Sequence, residues 1–154
     1  MLGNHEFNAI AYATEHPDRP GEYLRLHNDK NARQHAAFLE QLTGEQQKFY
    51  IDWFQTLPLW LDLGGVRVVH ACWHEPSMEV VRARCGSDRL SSIQNLVAAS
   101  AEGDELYEAV EILLKGPEIS LVDYGQLPCV DKDGHPRAKV RVRWWHQGGS
   151  TLAD

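Results

Sequence analysis

The stretch LWLDLGGVRVVHACWH, Leu59 to His74, decides the fold class. Two runs rich in large and β-branched apolar residues flank Gly64-Gly65, which predicts a two-residue hairpin with positive φ in the loop. Before it, Phe49, Tyr50, Trp53, Phe54 and Leu57 recur at helical spacing until Pro58 stops the run. Further upstream a helix is expected from Asn31 to about Leu42, with Phe38, Leu39 and Leu42 on its apolar side. Downstream, Leu106, Ala109, Val110, Leu113 and Leu114 define another amphipathic helix, closed by Lys115-Gly116-Pro117. Near the end, AKVRVRWW alternates Val140, Val142 and Trp144 with Arg141 and Arg143, the pattern of a strand covered on one face. The Asp131-Lys132-Asp133-Gly134 turn precedes it. Mixed helices and strands of this kind predict a layered α/β domain spanning 1–154.

Composition narrows the function classes. The 154 residues are 43% hydrophobic and 24% charged, which fits one globular domain and argues against disorder. No apolar run reaches the roughly 18 residues of a membrane span, so no membrane partner is expected. The net charge of -7 argues against general nucleic-acid binding. An anionic substrate would then need a locally positive site, which metal ions supply. Cys72, Cys85 and Cys129 are odd in number and lack CxxC spacing, which reads as reduced thiols in a cytoplasmic protein.

The chemistry-bearing residues begin at the third position, Gly3-Asn4-His5-Glu6. A catalytic loop is expected here, with Gly3 allowing a sharp turn that brings backbone close to a bound group. Asn4 offers a neutral carbonyl oxygen to a divalent ion, and His5 follows immediately, so the two side chains should diverge, one able to bind metal while the other faces substrate. An Asx turn or helix cap is the plain alternative for Asn4. His70 ends the strand VRVVH, expected to be buried, a rigid place from which to aim an imidazole ligand, or else it is a buried histidine satisfied by backbone. His74 is either a substrate-side contact or a surface residue. Cys72 reads as a packed thiol, and Trp73, Trp144 and Trp145 as core or sheet-face aromatics. His16, His27 and His35 are expected in solvent.

Gly3-Asn4-His5-Glu6, then the hairpin from Leu57-Pro58 to Gly65, then Val69-His70-Ala71, together resemble the calcineurin-like metallophosphoesterases. VVHACWH, LLKGPEI and DKDGHPRAKVRVRWW resemble more narrowly its bacterial diadenosine tetraphosphatase-like and serine/threonine phosphatase-like branch. The resemblance implies two β-sheets flanked by helices, and a dinuclear centre hydrolysing phosphate esters or anhydrides. Two divalent ions (Mn, Fe, Zn or Ni), about 3.5–4 Å apart, would hold phosphate and a bridging hydroxide. By the same resemblance, Asn4 and His70 would ligate the second metal and His5 would act as general acid. The expected substrates are phosphorylated small molecules, nucleotides such as dinucleoside polyphosphates, or phosphoproteins.

The chain also departs from the family pattern. An Asp-x-His motif and a Gly-Asp-x-x-Asp-Arg motif normally precede Gly-Asn-His-Glu, and only two residues stand before Gly3. Those motifs carry the first metal's ligands and the carboxylate partner of His5. Gly134-His135 has the letters of a later metal-binding motif but sits in an Asp/Gly/Pro turn. The expectation is therefore a fragment that lacks its first strands and last part, retains ligands for one metal, and is inactive alone. The alternative is a non-catalytic, truncated or degenerate domain acting as a binding module.

Overall fold

The computed structural model describes residues 1–130, 134 and 136–146. Helix α1 (Asn4–Ala13) starts where a loop was expected. Phe7, Ile10 and Ala11 recur at three- and four-residue spacing and are buried, so the apolar stripe carries the helix back to its first turn. The Glu6 carboxylate accepts from Gly3 N at 3.1 Å, the half of a capping box that a glycine cap still permits. The segment Glu15–Tyr23 folds back as a turn closed by an isolated bridge between those two residues, consistent with its Pro, Asp and Gly content.

Helix α2 (Asp29–Gln41) begins two residues before the expected position because Asn28 caps it, accepting from Asn31 N. In α3 (Gly44–Gln55), Thr43 and Gln46 form a reciprocal capping box ahead of the first aromatic residue. The hairpin is present: β1 (Trp60–Asp62) pairs antiparallel with β2 (Arg67–Val69), with Trp60 opposite Val69 and Asp62 opposite Arg67. Positive φ is needed at Gly64 (76°) and not at Gly65.

Two further helices follow that period analysis passed over, α4 (Glu75–Cys85) and α5 (Ile93–Ser100). Each mixes a small or polar residue into its buried face, Ser77 in α4 and Ala99 in α5, which blurs the apolar repeat. The expected helix α6 (Glu105–Lys115) is capped by Asp104, which accepts from Leu106 N at 2.8 Å.

Among the described residues the strands form three separate two-stranded pairs, not two stacked sheets. Besides the hairpin, β3 (Glu118–Ser120) pairs with β6 (Lys139–Arg141), and β4 (Cys129–Val130) with β5 (Pro136–Arg137). The expected eight-residue strand is thus reduced to three, because its partner β3 is itself three residues long. Trp144 and Trp145 lie beyond it, exposed and edge-to-face with each other at 5.6 Å, and are not core residues. Arg141 sits 3.7 Å from Glu118 on a solvated face. The readings placed on Asp131, Lys132, Asp133, His135 and the tail from Gln147 lie outside the described residues.

Leu2, Ile10, Leu59, Met78, Val81, Leu106, Val110 and Leu113 are fully buried and join α1, β1, α4 and α6 into one core. No helix among the described residues is long and apolar enough to cross a membrane. Two backbone hydrogen bonds position the site. Leu2 N donates to Pro58 O at 2.7 Å, laying the start of the chain beside the entry to β1. Ala71 N donates to Leu113 O at 3.1 Å, tying the residue after His70 to the end of α6.

Candidate functional site

These two ties bring the first turn of α1 to the exit of β2. There His70 Nε2 lies 2.9 Å from Asn4 Oδ1, across 66 residues of chain. An amide oxygen accepts only, so the contact places the imidazole proton on Nε2.

Gly3 has an ordinary φ of -110°, so the expected sharp turn is not its role. A Cβ built there would lie 2.9 Å from His70 Nδ1 and 2.5 Å from Glu6 Oε2. Any side chain there would force the His70 ring and the Glu6 carboxylate to shift, because the imidazole packs against the helix start. Where the sequence suggested a catalytic loop, the structure has a close approach between the start of α1 and the residue after β2.

The remaining predicted positions are placed as follows. His5 is exposed on the first turn of α1, one residue from Asn4 and pointing about 100° away around the helix, as consecutive helical residues must. His74 caps α4: its Nδ1 accepts from Ser77 N at 3.3 Å and lies 2.8 Å from Ser77 Oγ, so that nitrogen is committed to the helix start. Trp73 donates from Nε1 to Glu75 at 2.8 Å and lies under the Arg67 guanidinium at 4.9 Å. Cys72 is buried, and burial pushes its thiol pKa up, which suits a packed thiol and not a nucleophile.

His35 corrects the solvent expectation. It is 5% exposed, rests against the Tyr12 ring at 4.8 Å, and its Nε2 is buried with no hydrogen-bond partner. Burial holds its pKa below the ordinary histidine value, with the positive charge of Arg25 acting in the same direction. His27 is sandwiched between Tyr12 (3.9 Å) and Tyr23 (4.0 Å), its Nε2 2.7 Å from Tyr12 O. A cavity of about 510 Å³ lies between α1, α2 and α3, with Ala9, Phe38 and Ile51 on its apolar side and Lys48 and Asp52 at its rim.

Arg25 carried no signal in the sequence, standing in an irregular stretch without periodicity. In the fold its Nη1 donates to Asn8 Oδ1 at 3.0 Å and its Nη2 to Gln34 Oε1 at 2.6 Å. Among the described residues there is no group of three or more His, Cys, Asp or Glu that could hold a metal ion. Asn4 and His70 supply two donors, about half of the four that a tetrahedral site takes. Comparisons with protein-family models, curated proteins and solved structures give no match to this chain.

Proposed function

We propose that the chain carries part of the active site of a metal-dependent phosphoesterase, with Asn4 and His70 as ligands of one divalent ion. One observation supports this above the rest: an amide oxygen and an imidazole nitrogen, distant in sequence, meet at 2.9 Å against a glycine that leaves room for the ring. In this reading the domain follows the calcineurin-like pattern, and Asn4 and His70 serve one ion of its metal pair.

When bound, the metal pair would supply charge neutralisation and an activated hydroxide for attack on phosphorus. The chain's own contribution is positional. Gly3 lets His70 approach the helix, Glu6 anchors the Gly3 amide, and Asn4 adds a ligand without adding negative charge. His5, exposed beside Asn4, is placed to give a proton to a leaving oxygen, a role worth roughly 10²–10⁴ in rate. The substrates would be phosphate monoesters or dinucleoside polyphosphates.

The site reading is tested by titrating Mn²⁺ into the metal-free chain and following water proton relaxation. Binding is expected for the wild type, and Asn4→Ala or His70→Ala should weaken it by about ten-fold or more. Gly3→Ala should weaken it too, by displacing the ring. Hydrolysis of p-nitrophenyl phosphate by this chain alone should be negligible. Equal Mn²⁺ affinity in all four proteins would remove the assignment. A second reading, a non-catalytic binding module, is favoured by the two-donor count; it predicts weak metal binding with no gain of hydrolysis in the longest natural reading frame.

A further inference from the structure

The protein is acidic overall, so an oxyanion needs a local exception, and one face of α1 provides it. Arg25 reaches this face from the segment before α2. Its two side-chain hydrogen-bond partners, Asn8 Oδ1 and Gln34 Oε1, are both neutral amides. Among the described residues it makes no ion pair within 4 Å. Its Nε is buried and has no hydrogen-bond partner. The carboxylate that most favours its charge, Glu111, is itself held by Lys115 at 2.6 Å.

A guanidinium taken partly out of water and bonded only to amides has charge to spare, and its planar fork suits an oxyanion. Helix geometry locates it. Asn8 is four residues from Asn4 and three from His5, so the Arg25 head sits one turn along α1 from the proposed ligand pair. Of the groups around the Arg25 head, Glu111 adds negative charge without a direct contact, His27 is stacked between two tyrosines, and His35 lies buried beside Tyr12. The buried, unpartnered Nε2 of His35 is a second unsatisfied nitrogen around this helix.

We propose that Arg25 is an anion-positioning residue, holding a phosphate-type oxyanion one helical turn along α1 from Asn4 and His70. Calling that oxyanion part of a substrate rests on the phosphoesterase reading; the anion site itself does not. Arg25 acts by charge and by its fork. Asn8 and Gln34 fix the fork's plane and leave its other N–H bonds for the ligand.

The test is calorimetric titration of inorganic pyrophosphate into the metal-free chain at low salt, repeated on variants with the thermal midpoint recorded for each. The wild type should bind, and Arg25→Gln should weaken binding by about ten-fold or more. Arg25→Lys should recover part of that loss, since charge returns without the bidentate geometry. If Arg25→Gln fails to fold, Gln34→Glu decides: it leaves Arg25 in place, sets a carboxylate against it, and should weaken pyrophosphate binding as well. Unchanged affinity in the folded variants, or no binding by the wild type at millimolar pyrophosphate, overturns the proposal. Mn²⁺ titration of the same samples separates the two ideas. Loss of Mn²⁺ binding with Arg25-dependent pyrophosphate binding retained would overturn the metal site and leave this inference standing.

Discussion

Helices α3 and α6 both announce themselves by apolar residues at helical spacing, yet the fold treats them differently. In α6 the residues on the stripe, Leu106, Ala109, Val110, Leu113 and Leu114, are all buried between α4 and α5. In α3 Ile51 is the buried residue, while Phe49 is 66% exposed and Trp53 50% exposed. The aromatics of α3 satisfy one another instead, with Phe49, Tyr50, Trp53 and Phe54 rings 5.4–6.3 Å apart. An apolar period identifies a helix and its face, but burial depends on whether another element arrives to cover that face.

The contrast can be broken most directly at Leu113, which has no exposed surface. Leu113→Ala should cost about 2–5 kcal/mol in denaturant unfolding, by lost transfer energy plus the cavity left behind. It should also loosen the backbone tie to Ala71, and with it the placement of His70. A cost below about 1 kcal/mol would mean that α6 is not the centre of the core.

A smaller effect is expected from His35, on the α2 side of the molecule. Its pKa is depressed in the folded state, so below the ordinary histidine value of about 6.5 the unfolded chain binds more protons than the folded one. The contribution of neutral His35 is therefore present above that pH and declines as pH falls toward the lower folded-state value. His35→Leu should flatten the stability profile in that interval; a slope identical to wild type would show that the ring is not held neutral.

The smallest effect is expected at Trp53. Trp53→Ser should change the unfolding free energy by no more than about 0.5 kcal/mol, and should reduce self-association at high concentration. A loss comparable to that of Leu113→Ala would mean that α3 is covered in solution by a surface the monomer does not display.

Much of the secondary structure was legible because it depends on neighbours in sequence. The Gly64-Gly65 hairpin, the stop at Pro58 and the close of α6 at Gly116 all follow from local rules. The first turn of α1 was misread because Gly-Asn at a chain start resembles a loop, whereas Phe7, Ile10 and Ala11 give the helix its buried face. His35 was misread for the opposite reason. Its place in a polar helix says solvent, but Tyr12 from α1 and the segment carrying His27 close over it. The site was half legible. Asn4, His5 and His70 could be named from residue type and context, while Arg25 depends on a chain reversal that no period announces.

From sequence alone came the alternation of helices and strands, the absence of a membrane-length apolar run and the residues capable of metal chemistry. Those properties reside in single side chains or in spacings of a few residues. Tertiary structure alone decided that an amide of α1 and an imidazole after β2 stand 2.9 Å apart, and that Arg25 is held by two neutral amides. Distances between residues remote in the chain are set by how buried faces pack around one core, and packing is a property of all the faces together.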